Sequence, residues 1–377
     1  MELESWPLLT AADLASEPLH RSRNFLNKTV SCGSIFSSGG TSGSPKYALY
    51  TPAEIKRIGI MMAKGFLASG LRPSERVVNL FVAGNLWSSF LAIDEALKNC
   101  GVFVLPMGGL SLLDEIVSCL LTFRPEAVFG LPSLLVGYAR HCEQKNLDVA
   151  VEQVFYGGEH LSNSARRYLA KVWKTQSFHS AGYAAVDVGP IGWQCAHCKD
   201  GEHHLFSEEI NMEVIDGEAV ITSLVRRAMP IIRYRTGDRV EWVLGECPCG
   251  TVDPRFTLLG RVDGIMNLWG CHVPFADVEK SLLEAGMTAP VMQVRLRDET
   301  ASAGSEEKLI VCLEQDDNVP GEFFERFTQN LFQHCRDIAL TMDLATMRRR
   351  INLDYVRPGF IPRIARTGKV KIIVDER

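Results

Sequence analysis

The segment Gly40-Thr41-Ser42-Gly43-Ser44-Pro45-Lys46 brings backbone N–H groups, hydroxyls and one cation together in a short stretch. Glycines let a chain close around an anion without Cβ clashes, and successive N–H groups can then point at phosphate oxygens. No GK[ST] opens a helix here, so this is not the Walker pattern. Taken alone, such a loop is more often a plain turn. A second set of reactive side chains is Cys195-x-x-Cys198, His203-His204 and Cys247-x-Cys249. Thiolates and imidazoles in two clusters are what a closed tetrahedral Zn2+ site uses. The set predicts Cys198, His204, Cys247 and Cys249 as ligands of a structural zinc, with Cys195 or His203 as substitutes. Reduced cysteines in a metal-free loop are the alternative. No spare acid stands beside them as a general base, so zinc chemistry on a substrate is not expected.

The elements that must position these groups alternate. Thr51-Pro52-Ala53-Glu54 starts a helix, with Thr51 as cap, Pro52 at the first position and Glu54 placed for a capping box. That helix is expected to end near Ser69, before Gly70. Strands are predicted over 76–82, 102–106, 127–130 and 151–156, and helices over 86–99, 112–122, 133–144 and 163–173. Such alternation indicates a mostly parallel α/β sheet. From Glu209 to Val243 the period shortens, and a hairpin is expected to turn at Asp216-Gly217. The two cysteine clusters flank it. Beyond Gly260, helices over 274–284 and 323–340 and strands over 291–296, 309–313 and 353–356 make a small α+β domain, followed by a basic tail. The fold class is therefore α/β: a large N-terminal domain, 1–261, with mostly parallel sheets flanked by helices and a β-rich subdomain, then an α+β domain, 262–377.

The chain has 377 residues, a formal net charge of −5 and no basic field, which argues against a nucleic-acid or membrane-surface binder. No secretory signal opens the sequence and no apolar run is long enough to span a bilayer, so a cytoplasmic protein is expected. Its 11 cysteines are then read as reduced thiols, several of them small core residues.

GTSGSPK resembles the phosphate-binding signature of the adenylate-forming superfamily, and further signatures follow in that family's order. HSAGYAAVDVGP resembles its YGxTE segment, with Tyr183 in the aromatic position and Asp187 in the acidic one. Ala184 and Val186 stand where the family has glycine and threonine. Tyr234-Arg235-Thr236-Gly237-Asp238 matches YRTGD. Gly260-Arg261-Val262-Asp263-Gly264 matches the start of the family's mobile C-terminal domain. Arg366-Thr367-Gly368-Lys369 resembles its catalytic tail, with Lys371 as a rival to Lys369. The stretch from Asn79 to Gly109 and YGGEHLS, with Gly157, Gly158 and Glu159, resemble the phenylacetate-CoA ligase branch. Relatives of that branch act in phenazine-type antibiotic biosynthesis. The phosphate loop comes early for the family, so a shortened N-terminus is expected.

The resemblance implies ATP-dependent activation of an aromatic carboxylic acid to an acyl-adenylate, with Mg2+. Coenzyme A, a carrier-protein thiol or a downstream acyltransferase would then take the acyl group, and the assembly would be a homodimer. Lys369 and Asp187 would be the catalytic residues. Gly40, Thr41, Ser42, Gly43, Lys46, Gly158, Glu159, Tyr183, Asp238 and Arg261 would contact nucleotide or acid, Tyr183 on adenine and Asp238 on the ribose hydroxyls. Asp263 would be the hinge. Two rival readings are a degenerate adenylate-binding protein and a zinc-stabilised interaction module.

Overall fold

The computed structural model describes all residues except 1, 2, 17, 18, 20–25, 28, 38–45, 160, 162, 200, 262, 263, 270, 289, 290, 302, 303, 316–321, 364–367 and 377. The chain divides into two compact units. One is built chiefly from Met1–Gly158 and Val172–Gly260, the other chiefly from Glu159–Lys171, Arg261–Ala365 and Lys369–Arg377.

In the first unit, helix α1 (Ala11–Ser16) precedes the antiparallel strands β1 (Ser34–Ser37) and β2 (Tyr47–Tyr50). Helix α2 (Pro52–Ala68) starts as its sequence dictates: Thr51 accepts the Glu54 N–H, and Glu54 reaches back to the Thr51 N–H. Next come β3 (Arg76–Leu80), α3 (Ser89–Cys100), β4 (Phe103–Leu105), α4 (Leu113–Phe123), β5 (Ala127–Gly130), α5 (Pro132–Gln144) and β6 (Gln153–Tyr156). Helix α6 (Asn163–Trp173), most of which groups with the second unit, and β7 (Ser177–Ser180) follow. The strands form a parallel sheet in the order β4-β3-β5-β6-β7. Every residue of β5 is buried, as befits a parallel strand covered on both faces. Phe129 stacks on Phe155 at 4.4 Å, and Phe66 of α2 meets both rings edge-on. Helix α3 begins three residues later than its periodicity suggests, because Asn85 and Leu86 adopt left-handed backbone angles (φ 48° and 60°).

A seven-stranded sheet completes this unit, from β8 (Tyr183–Ala185), β9 (Gly189–Trp193), β10 (Glu202–Leu205), β11 (Ile210–Ile215), β12 (Glu218–Ser223), β13 (Ile231–Val243) and β14 (Arg255–Arg261). Its order is β11-β12-β13-β14-β10-β9-β8. Asp216 and Gly217, both at positive φ (53° and 77°), turn β11 into β12 in the manner that suits a twisted hairpin. Helix α2 lies against this sheet as well: a Cβ on Gly65 would fall 2.8 Å from Trp193 Cβ, so only glycine permits the approach.

The second unit holds the hairpin β15 (Ile265–Leu268) and β16 (Cys271–Pro274), then α7 (Phe275–Ala285), β17 (Met292–Ala301) and β18 (Gly304–Glu314). Helices α8 (Glu322–His334), α9 (Arg336–Thr341) and α10 (Leu344–Arg349) and strands β19 (Ile351–Val356) and β20 (Ile373–Asp375) complete it. The sheet order is β19-β18-β17-β20. Val294, Val311, Val278, Leu282, Phe327 and Leu331 belong to one buried core. The single helix expected over 323–340 is two, because Cys335 leaves helical geometry (φ −88°, ψ 92°). The tail is not all coil: β20 pairs in parallel with β17 through Val294 and Ile373. Among the described residues, no helix is long and apolar enough to cross a membrane.

Candidate functional site

Lys46 leaves the glycine-rich segment just before β2. Gly40, Thr41, Ser42 and Gly43 lie outside the described residues. The Lys46 ammonium forms a close ion pair with Asp187 Oδ2 and donates to the Tyr234 hydroxyl at 2.6 Å. Tyr234 in turn donates to the same Asp187 oxygen at 3.0 Å. Asp187 is 2% exposed, and its other oxygen, Oδ1, is buried with no hydrogen-bond partner among the described residues. Two groups, an ammonium and a phenol, thus converge on one carboxylate oxygen and leave the second available.

The backbone that carries Asp187 is itself clamped. Tyr50 donates to the Val186 carbonyl at 2.6 Å, and Arg226 Nε donates to the Asp187 carbonyl at 3.2 Å. The Arg226 guanidinium also donates to the Leu49 carbonyl and lies 3.5 Å from the centre of the Tyr50 ring. Its side chain has no solvent exposure, and Glu54 Oε2 sits 3.8 Å away. Burial alone would raise the Glu54 carboxyl. The N–H groups of Ala228, Thr51 and Arg227 and the Arg226 charge outweigh that and hold it below the usual carboxylate value. Tyr50 and Arg226 were not singled out from the sequence, and Glu54 was read there only as a helix-capping residue. An arginine inside the apolar run between β12 and β13 was the available signal, but Arg226 and Arg227 are adjacent and alike.

Tyr183 donates to Asp238 Oδ2 at 2.7 Å, and Asp238 N–H is held by Thr236 Oγ1 at 3.1 Å. Thr236 donates to the Ala219 carbonyl, while Glu218 accepts from Gly237 N–H and Arg235. Each of the five residues from Tyr234 to Asp238 therefore has a hydrogen-bond partner, with Arg235 and Gly237 sharing Glu218. Phe256 packs edge-on against the Tyr183 ring at 5.9 Å. Arg261 closes β14.

In the second unit, Glu159 Oε1 accepts the Val370 N–H at 2.9 Å. Lys369 is half-buried; burial pushes its ammonium below the ordinary lysine value, and the Glu159 carboxylate opposes that shift. The rival Lys371 has its carbonyl tied to Gln293. Arg366, Thr367 and Asp263 lie outside the described residues, and Gly158 takes a left-handed φ of 75° just before Glu159.

The cysteine–histidine segments meet around β10. The ligand atoms of Cys195, His204, Cys247 and Cys249 all lie within 4.8 Å of one another. Cys195 Sγ is 3.6 Å from Cys247 Sγ and also 3.6 Å from Cys198 Sγ, and Cys249 Sγ is 3.5 Å from His204 Nε2. Cys195 thus belongs to the mutual group and Cys198 stands beside it. His204 Nδ1 faces the Asp253 carbonyl at 3.1 Å, which suits an Nδ1–H donor and a free Nε2. The imidazole also stacks on Trp193 at 4.5 Å. His203 points elsewhere, to Gly201 O and Ser180 Oγ, and burial pushes it down to about 4. Burial pushes the Cys195 thiol up to about 11.

No family model matches the chain. It is 25% identical over 374 residues to a phenylacetate-coenzyme A ligase of Thermus thermophilus, covering 91% of this chain and 80% of that one. A phenylacetate-coenzyme A ligase of Pseudomonas putida is 25% identical over 278 residues, 70% of this chain and 62% of its own length. The structure of 2-hydroxyisobutyryl-CoA ligase with its acyl-AMP superposes with a TM-score of 0.75 at 18% identity, covering 99% of this chain and 80% of that one. That of an anthranilate CoA ligase with anthranoyl-AMP gives 0.55 at 15% identity, over 89% of this chain and 65% of its own. The chain is thus similar in sequence to phenylacetate-coenzyme A ligases and has the fold of ligases solved with acyl-AMP.

Proposed function

We propose that this protein activates an aromatic carboxylic acid with ATP to an acyl-adenylate, releases pyrophosphate, and passes the acyl group to coenzyme A. The chain spans about three fifths of the Pseudomonas putida relative's length. The observation that carries it is the convergence of Lys46, Tyr234 and Asp187 in the unit that also joins Tyr183 to Asp238. A cation and a buried carboxylate at one end, with an aromatic ring and a second carboxylate at the other, suit the phosphates and the adenosine of one nucleotide.

In this reading Lys46 and the N–H groups of Gly40, Thr41, Ser42 and Gly43 hold the phosphates. Asp238 accepts from the ribose hydroxyls and Tyr183 covers the base. The acid's carboxylate oxygen attacks the α-phosphorus, the bond to the bridging oxygen of pyrophosphate breaks, and the acyl-AMP remains. Lys369 and Arg261 offset the negative charge that gathers on the α-phosphate; such reactions run largely on positioning and charge neutralisation. The orphaned Oδ1 of Asp187 fits a Mg2+ ligand, and the ion would neutralise phosphate charge there. Gly158 and Glu159 border the acid, and the segment after Arg261 moves as a domain between the two half-reactions.

The donor set Cys195, His204, Cys247 and Cys249 fits a structural Zn2+. Zn–S bonds of about 2.3 Å in a tetrahedron place sulfurs roughly 3.8 Å apart, close to the 3.6 Å between Cys195 and Cys247. The aromatic class of acid rests on the relatives, whose names carry phenylacetate, indoleacetate and anthranilate. The test is mass spectrometry of reactions holding ATP, Mg2+, coenzyme A and benzoic, phenylacetic, anthranilic or phenazine carboxylic acid. An acyl-AMP followed by its thioester supports the reading. An acyl-AMP with no thioester points to a carrier or acyltransferase as acceptor. Neither product with any acid, while ATP still binds, favours a degenerate nucleotide binder, to which Val186 in the threonine position lends support.

A further inference from the structure

We propose that Tyr234 is a positioning residue of the phosphate end, acting through Lys46 and Asp187 rather than by touching substrate. This rests on the reading above. Nothing in the motif resemblance gives the first residue of YRTGD a task of its own. Its hydroxyl accepts from Lys46 Nζ at 2.6 Å and donates to Asp187 Oδ2 at 3.0 Å, and Lys46 pairs with that same oxygen. The Lys46 ammonium also lies 5.3 Å from the centre of the Tyr234 ring. The phenol, 2% exposed, is thereby one corner of a closed triangle of hydrogen bonds.

That triangle has two consequences. It draws Oδ2 into contacts with protein, so that the buried Oδ1 is the oxygen kept for a ligand. It also sets the direction from which Lys46 approaches, because the ammonium donates to both Tyr234 and Asp187. A lysine on a flexible stem is a mobile point charge, and fixing it in advance lowers the cost of ordering it on a phosphate. Tyr234 and Asp238 lie on the same strand, β13, so one rigid element sets both the phosphate end and the ribose acceptor.

The test measures binding of ATP with Mg2+ by calorimetry for wild type, Tyr234→Phe, Lys46→Met and the double variant, alongside acid-dependent pyrophosphate exchange. Tyr234→Phe deletes only the phenolic oxygen. Hydrogen bonds to charged groups predict roughly 10-fold weaker binding, with the KM for the acid changed less than about 2-fold. Because part of the Tyr234 effect runs through Lys46, the double variant binds less weakly than the product of the two single effects. Tyr234→Phe binding within about 2-fold of wild type, or effects that multiply in the double variant, overturns the assignment. So does loss of the fold in Tyr234→Phe without recovery on adding ATP and Mg2+, since the phenol would then be structural. If wild type binds ATP and shows the coupling yet exchanges pyrophosphate with no acid, the proposed reaction falls and the Tyr234 assignment stands. If exchange runs normally in Tyr234→Phe, the assignment falls alone.

Discussion

Tyr183 donates to Asp238, and Tyr234, four residues before Asp238, donates to Asp187, four residues after Tyr183. Each motif's tyrosine therefore holds the other motif's aspartate. The two segments lie on different strands of one sheet, β8 with its following turn and β13, and their crossed bonds make them a single assembly. This arrangement ties both ends of Tyr234–Asp238 to the Tyr183–Asp187 segment, and it gives each aspartate a defined orientation.

Asp238→Asn replaces an acceptor-only carboxylate by an amide that must present one N–H to its donors. The expected result is a KM for ATP raised roughly 10- to 100-fold with a smaller change in kcat. Tyr183→Phe, which removes one bond to Asp238 and keeps the ring, is expected to cost less than about 10-fold. ATP titrations of the exchange rate check both. Equal KM values in Asp238→Asn and wild type would remove the ribose assignment.

The Lys369 ammonium is held below the ordinary lysine value of 10.5 by burial, with Glu159 opposing. A lysine whose pKa is depressed keeps its charge below that pKa and loses it above, so adenylation is expected to fall on the alkaline side at a pH below 10.5. Glu159→Gln removes the opposing charge and moves that limb to lower pH. A pH profile of the exchange reaction measures this. A limb that does not move in Glu159→Gln would show that another group sets it.

Glu54 ties the start of α2 to the segment carrying Arg226. Its folded carboxyl lies below the ordinary glutamate value of 4.5, so its stabilisation is whole above pH 4.5 and is lost as pH falls through the folded value. Glu54→Gln puts an amide N–H toward donors that both carboxylate oxygens now serve. It is expected to cost about 1–3 kcal/mol at pH 7, shrinking below pH 4.5. Denaturant unfolding at several pH values tests it, and a pH-independent difference would contradict the account.

For the cysteine cluster, metal analysis is expected to find about one zinc per chain, as a closed four-ligand site holds a single ion. Cys195→Ser and Cys249→Ser are expected to lose it and to melt earlier, while Cys198→Ser keeps it. Loss of zinc in Cys198→Ser with retention in Cys195→Ser would return Cys198 to the ligand set.

Much of this was legible because residue type and order are local properties. The Thr51–Glu54 capping box and the Asp216-Gly217 turn follow from their own residues, and the motifs around Tyr183 and Asp238 mark residues that the fold brings together. Choices between like residues were not legible. Cys195 and Cys198 are both thiols on one turn, and only folding shows which approaches Cys247 and Cys249. Arg226 and Arg227 are likewise adjacent, yet one is wholly buried on the Asp187 backbone. The break at Cys335 and the left-handed Leu86 are set by packing, since the apolar spacing runs through both. The crossed tyrosine–aspartate pairs depend on strand placement, which no spacing within either motif encodes.

Acid-dependent exchange of labelled pyrophosphate into ATP, in wild type and Lys369→Ala, decides whether this chain adenylates an acid. Exchange is expected with at least one aromatic acid and not without acid. Removing the charge at Lys369 is expected to lower the rate by roughly 10²- to 10³-fold while ATP with Mg2+ still binds. Wild-type exchange with no acid, or a Lys369→Ala rate equal to that of wild type, would contradict it.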